Sequence, residues 1–169
     1  MKGEIDFKAL ALQLDAQRDP LVAAWAYEIA ITSDDAESDA FLNLALIYFQ
    51  CADFGYATAN LIPDAFANSC LTRAFEILTI VKDRIGDSTE IEFWTSYFSS
   101  VYFEEKGIQD KCRQLADKGD SLLPFTYLFV AGESQYVSQA RELLKIVRSG
   151  LTERERYIKS LIQGALHRL

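Results

Sequence analysis

Apolar residues recur along this chain at spacings of three and four, which is the period of an amphipathic α-helix. The stripe of the last segment consists of Tyr157, Ile158, Leu161, Ile162, Ala165, Leu166 and Leu169. No segment shows the sustained alternation of apolar and polar residues that is typical of a half-buried β-strand. The pattern therefore predicts an all-α fold with no sheet.

Glycine, proline and capping residues divide the pattern into about nine helices. We predict them near 4–17, 20–32, 35–52, 64–85, 88–106, 109–118, 121–131, 135–149 and 152–168. Asp19-Pro20 is typical of a helix start, and Gly86-Asp87 and Gly119-Asp120 of a helix end followed directly by an N-cap. Capping-box spacing begins at Asp34, Asp87 and Thr152, and Pro124 falls within a first helical turn. Residues 52–68 form an insertion whose first part, 52–64, is predicted to be a loop.

Three segments share a large apolar residue, then a small residue, then an aromatic residue three positions later. They are Ala40-x-x-x-Leu44-Ala45-x-x-Tyr48, Trp94-x-x-x-Phe98-Ser99-x-x-Tyr102 and Ser121-x-x-x-Phe125-Thr126-x-x-Phe129-x-x-Gly132. A small residue at this position lets a second helix approach closely. The following helices carry their own small residues at Ala74, Cys112 and Ala140, and they end at Gly86, Gly119 and Gly150.

These helix pairs, over about residues 40–150, resemble tetratricopeptide repeats and their Sel-like relatives. The resemblance implies antiparallel helix pairs stacked as a short α-solenoid, within a single domain over 1–169 that ends in a capping helix at 152–168. It also implies a concave face of the kind that binds peptides or proteins. An unrelated α-helical bundle with the same packing demands is the alternative.

Composition and charge narrow the class of protein. The 169 residues are 50% hydrophobic and 25% charged, which is ordinary for a globular domain, and the net charge is −8. A nucleic-acid-binding surface is usually basic, so we expect no nucleic-acid partner. No apolar run approaches the length of a membrane span, and the acidic start does not read as an export signal, so we expect a cytoplasmic protein.

The residues that usually carry chemistry are sparse. Cys51, Cys70 and Cys112 are widely spaced and are predicted to be buried free thiols. The only histidine, His167, is predicted to lie on the surface of the last helix. There is no phosphate-binding glycine motif and no nucleophile motif. We therefore predict a non-catalytic protein with no cofactor and no metal site.

Charge is distributed unevenly along the chain. No Lys or Arg occurs between Arg18 and Arg73, whereas this stretch holds Asp19, Glu28, Asp34, Asp35, Glu37, Asp39, Asp53 and Asp64. One interpretation is a solvated surface whose carboxylates suit helix starts. The other is an acidic face that attracts a basic protein partner. On the second interpretation the candidate partner-binding residues are Asp34, Asp35, Glu37, Asp39, Asp53, Tyr56, Asp64 and Tyr97.

An aromatic run occupies the second repeat-like segment, and its members are Phe93, Trp94, Tyr97, Phe98, Tyr102 and Phe103. Such a stripe is predicted to be mostly core. Because six aromatic residues cover more than one helix face, Tyr97 is also a candidate for a groove, together with Glu104 or Glu105, that takes a cationic ligand.

The leading functional prediction is a protein-binding module, most concretely an inhibitor of the immunity or antitoxin type. Its acidic face would block the basic active site of a nuclease-like toxin. The alternative is a helical-repeat adaptor that binds a peptide around Tyr97 and Tyr102. An enzyme or ligand sensor would need converging carboxylates, for which Glu28, Glu92 and Glu104 are candidates. Self-association of acidic and basic halves is a further alternative, since residues 141–169 carry a net positive charge.

Overall fold

A computed structural model describes residues 5–168, and over that range the chain is all-helical with no strand. The helices are α1 (Phe7–Ala16), α2 (Pro20–Ala30), α3 (Ser38–Cys51), α4 (Phe54–Ala59), α5 (Asp64–Ile85), α6 (Thr89–Tyr102), α7 (Ile108–Ala116), α8 (Leu123–Val130), α9 (Val137–Ile146) and α10 (Glu153–Leu166). One turn of 3₁₀ helix, Ser134–Tyr136, precedes α9. The predicted all-α class is confirmed, and each of the nine predicted helices has a counterpart.

Several helix ends follow the predicted chemistry. The Asp19 side chain accepts a hydrogen bond from the Val22 backbone N–H at 3.2 Å, and Pro20 occupies the first position of α2. Gly86 and Gly119 follow α5 and α7 with φ of 102° and 71°, a left-handed conformation that favours glycine. Pro124 lies in the first turn of α8, where a missing backbone N–H is tolerated.

Three predicted N-caps are wrong, because each helix begins one to three residues further along the chain. Ser88, not Asp87, caps α6 by accepting from the Ile91 N–H at 3.2 Å. The residue before α8 is Leu122 rather than Asp120. The predicted box at Asp34 does not form either, because α3 begins after Glu37, which makes no side-chain cap bond.

The predicted loop at 52–64 is wrong in part, because α4 lies within it. The Asp53 carboxylate accepts a hydrogen bond from the Tyr56 N–H at 2.8 Å and so begins the helix. The Asn60 side chain donates to the Tyr56 carbonyl at 2.9 Å at the other end. Capping at both ends offsets the low intrinsic stability of a six-residue helix that contains Gly55.

The contacts divide the chain into two compact units. In unit 1, which comprises the described residues up to Ile85 with 151–154, α1 packs on α2, α2 on α3 and α3 on α5. In unit 2, which comprises 86–150 with the rest of the described chain from Glu155, α6 packs on α7, α7 on α8 and α8 on α9. The largest fully buried side chains of unit 1 are Tyr27, Phe41, Leu44, Leu46, Ile47 and Ile77; those of unit 2 are Trp94, Ile91, Phe98, Leu115, Leu128 and Ile162.

A buried polar cluster links three helices of unit 1. Asp15 is 2% exposed, and its carboxylate accepts hydrogen bonds from the Tyr27 hydroxyl at 3.2 Å and the Glu153 backbone N–H at 2.7 Å. The Asn43 side chain donates to the Tyr27 hydroxyl at 3.2 Å. Burial, reinforced by the Asp15 charge, raises the pKa of Tyr27, so its hydroxyl stays protonated as a donor.

The predicted environments of the cysteines and the histidine are confirmed. Cys51, Cys70 and Cys112 are all buried and free, and His167 is exposed after the end of α10. Contact with Cys70 and burial raise the pKa of the Cys51 thiol, which therefore stays protonated. Among the described helices, none combines the length and the apolar character needed to cross a bilayer.

Candidate functional site

The predicted acidic residues of unit 1 fall into two groups at the two ends of α3. Asp34, Asp35, Glu37 and Asp39 lie before or within its first turn, and Asp53 and Asp64 follow its last residue. Since α3 has 14 residues and a helix rises about 1.5 Å per residue, the two groups are separated by roughly 20 Å. The candidate acidic residues therefore form two separate groups at opposite ends of α3.

Cations from elsewhere in unit 1 partly neutralise the first group. Lys8 Nζ lies 2.6 Å from Glu37 Oε2, and an Arg154 guanidinium nitrogen lies 2.6 Å from Asp39 Oδ1. The Ser33 hydroxyl donates to Asp35, which holds the pKa of that carboxyl below its usual value. The group borders an open cleft of about 550 Å³. Because of these ion pairs, the negative potential of the first acidic group is weaker than the lack of Lys and Arg between Arg18 and Arg73 implies.

Asp64 of the second group lines a different cleft, which we call the α4–α5 cleft. It encloses about 470 Å³ and is lined by Ala52, Phe54, Ala57, Thr58, Leu61, Ile62, Asp64, Ala67 and Asn68. Phe54 is 84% exposed and Leu61 is 87% exposed, although both are large and apolar. Asp64 is exposed in the first turn of α5, Asp53 caps α4, and Tyr56 is half-buried. Exposed apolar patches rimmed by polar residues mark interaction surfaces in many proteins.

Leu61 is held in a strained backbone conformation. Its φ is 54°, in the left-handed region that costs an ordinary residue about 1–2 kcal/mol. The next residue explains how the turn is maintained: Ile62 is only 6% exposed, and its N–H donates to the Ala57 carbonyl at 2.9 Å. Burial of Ile62 thus fixes a turn that presents Leu61 to solvent. Backbone strain of this kind is concentrated at binding sites.

A charged cluster supports the cleft from inside unit 1. Arg73 on α5 binds Glu28 on α2 through two hydrogen bonds, of 2.8 and 2.7 Å, and the Tyr48 hydroxyl donates to Glu28 at 2.7 Å. The Tyr48 ring packs on Phe66 with centroids 5.8 Å apart. These contacts connect α2, α3 and α5, so the helices that flank α4 are fixed in place.

Two of the carboxylates singled out as possible catalytic groups, Glu28 and Glu92, form ion pairs that lower their pKa values. Burial acts to raise the pKa of Glu28, but the hydrogen bonds from Arg73 and Tyr48 outweigh it and leave that pKa below the usual value. In unit 2, hydrogen bonds from Lys111 and Lys118, at 2.7 and 2.6 Å, lower the pKa of Glu92. A carboxyl with a lowered pKa is a poor general acid near neutral pH. Glu104 is exposed, and the described residues hold no cluster of three metal-ligating side chains.

Tyr97 lies in the core of unit 2, which removes it from the predicted partner surface. It is 7% exposed, and its hydroxyl lies 2.6 Å from that of Tyr157. Its ring also packs against Phe93 and Trp94, with centroids 5.8 and 5.7 Å away. The aromatic run therefore serves chiefly as core, as the stripe predicts, and Tyr97 is buried because unit 2 surrounds it on several sides.

Comparison of the chain with protein-family models, with curated proteins and with solved structures gives no match. The functional argument therefore depends on the residues themselves. The sequence predicts Asp53, Tyr56 and Asp64 as partner-binding residues, of which Asp64 lines this cleft, but it does not select Phe54 and Leu61. The signal for Phe54 is the acidic cap residue Asp53 directly before it. The signal for Leu61 is its place in the Leu-Ile pair at 61–62.

Proposed function

We propose that this protein is a non-catalytic protein-binding module, most concretely an inhibitor of the immunity or antitoxin type. The observation that carries the proposal is the exposure of Phe54 and Leu61 at the α4–α5 cleft, next to Asp53 and Asp64. The partner that this chemistry fits presents an apolar side chain to the cleft and basic residues around it. A basic, nuclease-like toxin domain has this character.

The apolar and acidic residues have different roles in the proposed interface. A partner that covers Phe54 and Leu61 stabilises the complex, because burial of a large apolar side chain is worth about 1.5–3 kcal/mol. Asp64 forms no ion pair in the part of the chain that the structure describes. It is therefore available to a basic residue, and it accelerates association more than it strengthens the final complex.

The adaptor alternative receives less support from the structure. It relies on Tyr97 and Tyr102 as the concave contact surface, but Tyr97 is buried and Tyr102 is half-buried. The tetratricopeptide-like arrangement itself stays a proposal that rests on the residue pattern.

Co-expression tests the proposed class of partner. The protein is expressed with its neighbouring reading frames, captured at near-physiological salt and eluted at high salt, which screens charge interactions. We expect a basic protein that is toxic alone and harmless in the complex. A captured partner that is acidic, or whose toxicity is unchanged by this protein, contradicts the inhibitor proposal.

Substitutions in the cleft test the surface. Phe54→Ser is expected to weaken partner binding by at least about tenfold, because an interface anchor is typically worth more than about 1.4 kcal/mol. Ile85→Ser is the matched control, since Ile85 is also apolar and 48% exposed but lies at the other end of α5. Equal effects of the two variants on the dissociation constant contradict a role for the cleft.

A pair of charge reversals tells which acidic group faces the partner. Asp64→Lys is expected to slow association, whereas Asp34→Lys, at the opposite end of α3, leaves the association rate nearly unchanged. Stopped-flow measurements at low salt give both rates. The opposite ranking would move the interface to the first acidic group.

A further inference from the structure

Unit 2 contains a basic groove between α9 and α10 that the proposed function does not use. It encloses about 450 Å³ and is lined by Arg141, Leu144, Lys145, Arg148, Lys159 and Gln163. Four of these six residues are cations and none is acidic. We call this feature the α9–α10 groove.

Helical spacing brings the cations of α9 to one face. Arg141, Leu144 and Lys145 are three and four positions apart, so they share the face that borders the groove. Ala140 and Leu143, on an adjacent face of α9, are buried. The same segment thus buries one apolar face and displays a cationic one.

Lys159 and Gln163 form the other wall, one turn apart on α10. Lys159 Nζ donates to the backbone carbonyl of Arg148 at 3.0 Å, which fixes the ammonium beside the groove. An ammonium has three N–H donors, so the other two stay available to a ligand.

Among residues 5–168, no carboxylate pairs with a cation of the groove within 4.0 Å. Other cations of unit 2 behave differently: Lys111 and Lys118 both bind Glu92, and Arg113 binds Asp110 and Glu133. Four like charges around one cleft repel one another unless an anion is bound.

We propose that the α9–α10 groove binds a compact phosphate polyanion, that is, a small ligand with two or three adjacent phosphate groups. Its volume falls within the range of about 300–1,000 Å³ that is usual for small-molecule sites. Arg and Lys are the side chains that bind phosphate oxygens, through charge-assisted hydrogen bonds. Half-buried Leu144 offers an apolar contact to whatever organic group the phosphates carry.

The charge balance around the groove favours a compact ligand over an extended one. The net charge of the chain is −8, and the charges of unit 2 are almost balanced. A compact ligand needs only the four cations that line the groove. A nucleic-acid strand would extend beyond the groove onto a surface that has no excess of cations to neutralise it.

Titration with inorganic triphosphate, in EDTA and at low salt, tests the site by calorimetry and by the shift in Tm. We expect saturable binding and a raised Tm, because a ligand that binds only the folded state stabilises it. Lys145→Glu is expected to weaken binding by at least about tenfold, since it replaces an attractive charge with a repulsive one. Lys106→Glu is the matched control, because Lys106 is an exposed lysine of unit 2 outside the groove.

These outcomes distinguish a defined binding site in the groove from non-specific electrostatic attraction. Absence of saturable binding up to about 1 mM triphosphate, or equal weakening by Lys145→Glu and Lys106→Glu, overturns the proposal. A fold control by circular dichroism shows that both variants remain helical. Tighter binding of a single-stranded oligonucleotide than of triphosphate also overturns it, because the ligand is then an extended strand.

A parallel titration with ATP distinguishes the sources of the phosphates. If ATP binds more tightly than triphosphate and Leu144→Asn removes that difference, the ligand is a phosphorylated organic molecule. If ATP and triphosphate bind equally and both respond to Lys145→Glu, the ligand is an inorganic polyphosphate. Either result supports the site.

Discussion

The α6 aromatic cluster of unit 2 and the α4–α5 cleft of unit 1 use large apolar residues in opposite ways. In α6, Phe93 and Trp94 are 3% and 2% exposed, whereas Phe54 and Leu61 at the cleft are 84% and 87% exposed. Both segments also carry carboxylates in or beside a first helical turn. The difference lies in length: α6 has 14 residues and α4 has six. A long helix gives a continuous face to the core, while a single capped turn displays its ends to solvent.

The two regions are also supported by different chemistry. Trp94 packs among aromatic rings, with Phe93, Tyr97 and Phe98 at centroid distances between 5.1 and 5.9 Å. The helices around the cleft are instead joined by the ion pair of Arg73 and Glu28. The packing of rings around Trp94 depends on how well their shapes fit. The ion pair of Arg73 and Glu28 depends on charge and therefore on pH.

The largest expected effect comes from removing the centre of the α6 cluster. Trp94→Ala is expected to lower the free energy of unfolding by about 3–5 kcal/mol, because it leaves a cavity in a fully packed site. Urea denaturation followed by circular dichroism measures the loss. Trp94→Phe keeps most of the ring volume and is expected to cost clearly less. A loss below about 1 kcal/mol for the alanine variant would show that the cluster is not core.

The buried face of α6 could be predicted from the sequence because local spacing determines it. Phe93, Trp94, Tyr97 and Phe98 are three or four positions apart, and Gly86 and Ser88 mark where the helix begins. The predicted start differed by one residue because two adjacent side chains, Asp87 and Ser88, are both good N-caps. By contrast, α4 was missed since a six-residue helix with a glycine shows no periodicity.

The second prediction concerns the charged support of the cleft. Glu28→Gln is expected to cost about 1–2 kcal/mol at pH 7, because Arg73 loses the more buried of its two ionic partners. Glu76→Gln is the matched control: Glu76 binds the same Arg73 at 2.9 Å, but its side chain is 53% exposed. Surface pairs of that kind contribute about 0–1 kcal/mol.

The pH dependence tests whether the penalty of Glu28→Gln comes from the loss of the charged carboxylate. The folded-state pKa of Glu28 lies below its ordinary value of 4.5, so its contribution is fully present above about pH 4.5 and is lost as the pH falls through the folded-state pKa. The difference in unfolding free energy between wild type and Glu28→Gln should therefore shrink on acidification. A difference that stays constant from pH 7 to strongly acidic pH would contradict the assignment.

The third prediction decides the role of Tyr97. Tyr97→Phe removes the hydroxyl contact with Tyr157 and keeps the ring, so we expect a loss of about 0.5–1.5 kcal/mol in stability. Because Tyr97 is 7% exposed, the affinity for a protein partner should not change. Loss of partner binding with unchanged stability would restore Tyr97 to the interface.

The electrostatics of the candidate site could not be predicted from local sequence. The stretch between Arg18 and Arg73 lacks cations, but folding brings Lys8 to Glu37 across 29 positions and Arg154 to Asp39 across 115. Such pairs depend on which helices pack together, and no spacing rule specifies them. The exposure of Leu61 has the same origin, since it follows from the burial of Ile62 in the folded unit.

The smallest expected change in stability is at Leu61, where it is expected to be neutral or favourable. Leu61→Asn places a residue that tolerates positive φ at a strained position and removes little buried surface, so stability should change by about 0 to +1 kcal/mol. Partner affinity should nevertheless fall by at least about tenfold, because the apolar anchor is gone. Arg18→Asn is the matched control, since Arg18 also has a positive φ, of 61°, but does not line the cleft. It should show the same change in Tm with no change in affinity. Destabilisation by Leu61→Asn would mean that the leucine is held for the fold, whereas unchanged stability with lost binding would mean that the strain is retained for the partner.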